Sequence, residues 1–184
     1  ITADGSTLKL YLDGKLEAYT SYTGSSAQAI LYLASNSTPA NFFPGIIDDV
    51  RIYSYARTSE EVKVDYNAGY GIKLGASPEL DLTRGLVAYW SFDEGVGTTA
   101  YDASGNGNNG DINGGANWTK GKEGSALQFD GVDDKVSASY VPEFDLQNLT
   151  IELWINTNAY PSYGGNYNNH LVNIAYGRYL CIGT

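Results

Sequence analysis

The sequence predicts an all-β, antiparallel two-sheet sandwich with one short helix, and three observations carry that prediction. The first is composition. The chain has 184 residues, 16 of them Tyr and 22 Gly, and only 17% are charged. That mix favours strands and tight turns over helices. The second is a set of short segments in which apolar and polar side chains alternate, as they do in half-buried strands. The third is the punctuation between them: Asp-Gly dipeptides and clusters of Gly, Asn and Ser, which favour turns. The length suffices for one domain with a sizeable core.

Taken in order, Asp4-Gly5 marks a turn into Thr7–Leu12, where Leu8, Leu10 and Leu12 share one face. Asp13-Gly14 is the dipeptide of type I′ turns, and Lys15 to Thr20 returns, so a hairpin is expected. Loops at Ser21–Ser26 and Ser35–Phe43 flank a short apolar strand, with Phe42 and Phe43 folding back on the core. Gly45 to Tyr53 is the next strand. Strict alternation puts Asp48 on the side of Ile46, Val50 and Ile52, facing inward. A buried carboxylate needs a cation, a metal or several hydrogen bonds. Thr58 or Ser59 caps a helix with Glu60 and Glu61 in its first turn. Val62, Val64 and Tyr66 make a poor apolar stripe, so the helix is short.

Asn67 to Gly85 reads as a linker. The organisation expected is a segment 1–68, a linker 69–85 and a segment 86–184. Strands follow at Leu86–Phe92, Ala126–Phe129, Lys135–Ala138, Leu149–Ile155, Leu171–Ala175 and Tyr179–Ile182, with a long irregular loop over Asp102–Gly115. The total is roughly ten strands.

The formal charge is -10, which argues against nucleic acid and against docking on an anionic membrane. No apolar run is long enough to span a bilayer, so no membrane insertion is expected. The single cysteine, Cys181, excludes an intrachain disulfide. Met is absent and no signal segment precedes the first strand, so the chain reads as an internal piece of something longer or a processed product.

Four stretches, Gly85–Gly95, Tyr101–Gly110, Ala126–Asp134 and Thr150–Ile155, resemble the N-terminal half of a laminin-G-like domain. Asp4–Lys15 and Gly45–Tyr53, with the helix after them, resemble its C-terminal half. This family belongs to the concanavalin A-like lectin/glucanase superfamily. The resemblance implies a jelly-roll sandwich, but with its halves in reversed order. Three readings follow: a junction of tandem domains, a circularly permuted domain, or a subunit completed by a neighbouring chain.

The resemblance also implies a structural Ca²⁺ held by Asp48 and the Asp93-Glu94 pair, with a backbone carbonyl near Asp130-Gly131. The alternative is that Asp48 caps turn amides and Asp93 opens a turn. Asp130, Asp133 and Asp134 form a second acid cluster, either another calcium site or turn chemistry. Glu152 and Trp154 lie opposite the face of Ile151, Leu153 and Ile155. With Tyr163, Tyr167 and Asn168 in the following loop they offer stacking planes and amides for a carbohydrate. The other reading of that loop is a solvated or interface segment. His170 has no partner that would make it catalytic. No paired carboxylates of glycosidase type occur, and enzyme activity is not expected. Asn36, Asn117 and Asn148 stand in glycosylation sequons.

The expectation is a non-catalytic extracellular or cell-surface module for adhesion or carbohydrate binding. Its partner would be a glycan or a cell-surface protein. The rivals are a structural repeat of a surface filament or sheath, built by self-association of identical chains, and an accessory domain of a glycan-degrading enzyme.

Overall fold

A computed structural model describes residues 1–21, 30–35, 42–68, 83–139, 141–144, 147–157, 169–174 and 179–182. Strand β1 (Thr2–Asp4) turns into β2 (Thr7–Leu12), and β3 (Lys15–Ser21) completes the hairpin. Asp4 Oδ1 makes the first turn by accepting from the backbone N–H of Ser6 at 3.0 Å and of Thr7 at 2.7 Å. Asp13 and Gly14, with φ of 49° and 72°, make the second. The hairpin does not lie wholly on the core. Leu8 packs against it, whereas Leu12 and Leu16 are exposed and β3 is exposed throughout. The alternation of β2 was legible; that Leu12 and Leu16 at its tip are exposed was not.

Next come β4 (Leu31–Leu33) and β5 (Pro44–Tyr53), then helix α1 (Ser59–Ala68). The second segment supplies β6 (Leu86–Trp90), β7 (Thr99–Ala100), β8 (Gly110–Asn113), β9 (Asn117–Lys120), β10 (Ser125–Asp130) and β11 (Lys135–Ala138). A 3-10 turn (Pro142–Phe144) leads to β12 (Asn148–Asn156), β13 (Asn169–Ile174) and β14 (Tyr179–Ile182). The stretch 102–115 is therefore not one irregular loop. Its second part is β8, which buries only Gly110 and Ile112 and so shows almost no apolar pattern. Its first part is wound around Asp102, which accepts from the amides of Tyr89, Ser104 and Asn108, each at 2.9 Å.

Two antiparallel sheets result. The larger has the order β3-β2-β1-β12-β5-β10-β9 with β6 also paired to β5; the smaller runs β14-β13-β4-β11-β8-β7. β5 is the hub. Its first half pairs with β10 and its second half with β6 along one edge, while β12 runs along the other. Strands from either side of residues 69–82 interleave in both sheets, since β4 likewise sits between β11 and β13. Leu31, Leu33, Ile47, Trp90, Phe92, Leu127, Phe129 and Val172 fill the space between the sheets.

β5 carries the main departure from simple alternation. Glu152 of β12 faces Arg51 and Trp154 faces Asp48, so Asp49 and Val50 together oppose Leu153. This is a β-bulge, with Asp49 at φ 52°. The bulge shifts the phase of the strand. Ile47, Val50 and Ile52 all reach the core, and Asp48 is turned away from it, onto the face of Trp154. Asp48 is buried as expected, but not among the apolar side chains of its own strand.

That outer face is covered by the chain after β5. Thr58 and Glu61 cap α1 reciprocally: the Glu61 N–H donates to Thr58 Oγ1 and the Thr58 N–H to Glu61 Oε2. Below them the Arg57 N–H donates to Thr150 Oγ1 at 2.8 Å, and the Thr150 hydroxyl donates to the Tyr55 carbonyl at 2.8 Å. Tyr66 rests on Trp154, with ring centroids 5.5 Å apart.

Candidate functional site

Two groups of carboxylates flank β5. The first surrounds the tight turn 121–124, closed by the Gly121 N–H donating to the Gly124 carbonyl at 3.1 Å. Asp48 Oδ2 accepts from the Lys122 N–H at 2.7 Å and the Glu123 N–H at 3.4 Å. Asp93 Oδ1 accepts from the Ser125 N–H at 2.9 Å. The two carboxylates thus grip one turn, Asp48 from the segment before residues 69–82 and Asp93 from the segment after them.

The space beside Gly121 is lined with oxygen. A Cβ there would overlap Asp48 Oδ2 and lie 2.6 Å from the Ser125 carbonyl and 2.8 Å from that of Glu123. Asp48 Oδ1 is buried and accepts no hydrogen bond among the described residues; nor does Glu94 Oε2, whose partner Oε1 takes the Tyr101 N–H at 2.7 Å. Burial pushes Asp48 up to about 6, against the lowering effect of the Lys122 amide. Asp49 and Phe92, the neighbours of Asp48 and Asp93, are both non-glycine residues with positive φ. Such backbone strain, on the order of 1 kcal/mol each, collects where geometry is tightly constrained.

Asp49 is neutralised locally. Its Oδ1 accepts from the Tyr89 hydroxyl at 2.6 Å and from Arg51 Nη2 at 3.1 Å. Asp130 does not join Asp48. It pairs with Pro44, at the opposite end of β5, and its Oδ1 accepts from the Val132 N–H at 2.8 Å. Asp130, Asp133 and Asp134 do bring their carboxylate oxygens within 4.8 Å of one another. Asp134 Oδ2 there accepts the Asp130 N–H, the bond a turn requires.

The second group lies under α1. Arg57 Nη2 is 2.5 Å from Asp65 Oδ2, and Nε is 3.6 Å from Glu152 Oε1. The Arg57 side chain is 1% exposed, and its guanidinium lies 4.3 Å from the Tyr53 ring centroid. Burial, then the Asp65 charge, pushes Glu152 up to about 8; burial also raises Asp65. Burial thus favours the protonated form of both carboxyl groups, and Arg57 is the cation set between them. Glu152 is thus turned to Arg57 and Asp65 and not laid out on an open face. Trp154 is flanked by Tyr66 and by Lys122, whose Nζ is 5.2 Å from the ring centroid.

Tyr163, Tyr167, Asn168 and Asn36 lie outside the described residues. Asn117 and Asn148 are exposed on β9 and β12. His170 sits on β13 opposite Cys181 of β14. Sequence reasoning missed Arg57 and Asp65, and the role of the 121–124 turn. The signal for the turn was the Gly-Lys-Glu-Gly spacing before an apolar strand. Nothing local marked Arg57 as the cation for Glu152, which is 95 residues away in sequence.

No curated protein and no solved structure matches the chain. Residues 1–63, about a third of its length, match a laminin-G family model described as the concanavalin A-like lectin/glucanases superfamily. That segment holds β1 to β5 and the start of α1, the strands into which the rest of the chain is woven. The chain is therefore laminin-G-like in its first third, and its two antiparallel sheets form a sandwich consistent with the jelly roll of the concanavalin A-like superfamily.

Proposed function

We propose that this protein is a non-catalytic adhesion or carbohydrate-binding module of a secreted or surface protein, built as one sandwich from reversed halves of a laminin-G-like domain and pinned by a structural Ca²⁺. Domains of this kind are generally non-catalytic and typically extracellular. The observation that carries the reading is the grip of Asp48 and Asp93, from the two segments of the chain, on the 121–124 turn. An all-oxygen donor set with unused buried lone pairs suits a hard cation. Asp48, Asp93 and the carbonyls of Glu123 and Ser125 would hold it. The ion would supply the charge that Asp48 lacks and tie the segments together; it has no chemical step to perform.

The ligand would be a glycan or a cell-surface protein, met at the edge of Trp154 and the loop carrying Tyr163, Tyr167 and Asn168. Aromatic planes there would stack on sugar rings and amides would meet hydroxyls. Glu152 serves the fold in this reading. A glycan array is the test. A signal retained in Asp130→Asn but lost in Tyr163→Ala and Trp154→Ala supports the module; no signal from the folded protein with Ca²⁺ present rejects carbohydrate as its ligand.

A further inference from the structure

Three Asn-Gly steps fall within residues 106–114: Asn106-Gly107, Asn109-Gly110 and Asn113-Gly114. Asparagine before glycine carries a latent reaction. The glycine nitrogen can close on the side-chain carbonyl carbon to a five-membered ring, because no Cβ hinders its approach or narrows its backbone angles. The same dipeptide reacts alike at each place in an unfolded chain. Differences between the three in the folded protein therefore come from the structure around each.

Two of the three are held away from ring closure. Asn106 Nδ2 donates to the carbonyls of Leu86 at 2.9 Å and Val87 at 3.0 Å and to Ser104 Oγ at 3.1 Å, which pins the amide to β6. Asn109 Oδ1 accepts the Asp102 N–H at 2.9 Å. Gly110, which follows it, is buried in β8 between Ala138 of β11 and Ala100 of β7. Asn113 differs from both. It is the exposed last residue of β8, and its pairing with Lys135 ends the ladder to β11. Gly114 and Gly115, at φ of 89° and 115°, turn the chain away from that ladder. The Asn113 amide donates to the Asp111 carbonyl at 2.9 Å and more loosely to Ser137 Oγ at 3.3 Å, both in exposed positions where water competes. Gly114 is itself required: a Cβ there would lie 2.5 Å from the Asp133 carbonyl oxygen. Packing thus keeps the reactive dipeptide in place.

We propose that Asn113 is a site of spontaneous modification, deamidating through a succinimide far faster than Asn106 or Asn109. The Gly114 N–H gives its proton to solvent and the nitrogen bonds to Asn113 Cγ. The bond from Cγ to the side-chain nitrogen breaks, and ammonia leaves. Water then opens the ring at either carbonyl, giving an aspartyl or an isoaspartyl residue. One amide and one water become one carboxylate and one ammonium ion, with no oxidation or reduction. The new charge stands across from Lys135, a cross-strand position that favours it. The isoaspartyl product adds a backbone carbon where Gly114 meets Asp133 and Asp134. The reaction needs neither the cation nor the ligand proposed above.

The test is incubation of the 184-residue chain in mildly alkaline buffer made with heavy-oxygen water, followed by mass spectrometry with fragmentation to place each converted residue. Asn113 should convert about tenfold or more faster than Asn106 or Asn109, because fewer and more exposed hydrogen bonds must open. Its product should carry one heavy oxygen, and isoaspartyl methyltransferase should label part of it. In urea the three rates should converge. Asn113→Gln should remove the fast phase and leave the other two sites unchanged. Comparable rates at Asn113 and at either other site in the folded chain overturn the proposal. So does a rate order that survives urea, or a folded chain still intact at Asn113 once the unfolded chain has reacted there.

Discussion

Asp48 and Glu152, the buried carboxylates of the two groups beside β5, meet the same physical difficulty in opposite ways. Under α1 the cation is part of the chain: Arg57 sits on Asp65 and Glu152. At the 121–124 turn the chain supplies amides instead. They satisfy one oxygen of Asp48 and leave the other without a partner among the described residues. The first group carries its own cation, whereas in the second Asp48 has no cation beside it among the described residues. Burial of a carboxylate is thus no measure of function; what matters is whether its counter-charge is built in.

The largest effect expected from breaking this contrast is in the self-contained group. Arg57→Ala leaves two buried acids without their cation and should cost about 3–5 kcal/mol in urea unfolding at pH 7. The loss should shrink as pH falls towards 5, because burial raises both acids and favours their neutral forms. An equal loss at both pH values would mean that Arg57 acts through packing on Tyr53 and not through charge.

The next effect belongs to the group at the 121–124 turn. Ca²⁺ at about a hundred times its dissociation constant should stabilise the protein by roughly 2.7 kcal/mol, seen as a rise in Tm that EDTA reverses. Asp48→Asn should abolish the response. In EDTA the same substitution should be neutral or stabilising, because it removes a charge with no partner. Wild-type Tm indifferent to both Ca²⁺ and EDTA would end the calcium assignment. Gly121→Ala should lose the response as well, since its Cβ would stand among the oxygens.

A third comparison uses pH. Glu152 is raised from 4.5 to about 8 by burial and then by the Asp65 charge. The folded state therefore binds more protons than the unfolded one between those values, and stability falls as pH rises through that window. It is greatest below pH 4.5 as far as this group is concerned. Glu152→Gln should flatten the decline between pH 5 and 8, shifting Tm by a few degrees at the upper end. A slope unchanged in the variant would place the titration elsewhere.

Much of the fold was readable because its signals are local. Asp13-Gly14 fixes a turn wherever it occurs, and the alternation of Leu149 to Ile155 needs only its own residues. The site was less readable because its determinants are not local. The bulge at Asp49 uses a non-glycine residue at φ 52°, so strict alternation assigned Asp48 to the wrong face of its strand. The covering of Glu152 depends on α1, whose weak stripe gave no hint that Arg57 and Asp65 face inward. β8 and β9 escaped notice because short polar strands near a sheet edge bury too few apolar side chains to show a period. Asp48 and Asp93 could be named together by resemblance, but the turn they share could not.

The smallest expected effect sharpens the opening contrast, because it concerns a cation outside both groups. Arg84 Nη2 reaches Glu61 Oε1 at 3.0 Å, yet its side chain is 64% exposed. It also lies over the Tyr55 ring, 4.5 Å from the centroid. Water competes for such a pair, and holding a long side chain in place offsets the attraction. Arg84→Ala should leave the urea midpoint unchanged within error. Glu61→Ala should cost about 1 kcal/mol, since Glu61 also accepts the Thr58 N–H and closes the cap of α1. Losses of similar size in the two variants would show that the exposed pair, and not the cap, secures the helix that covers Glu152.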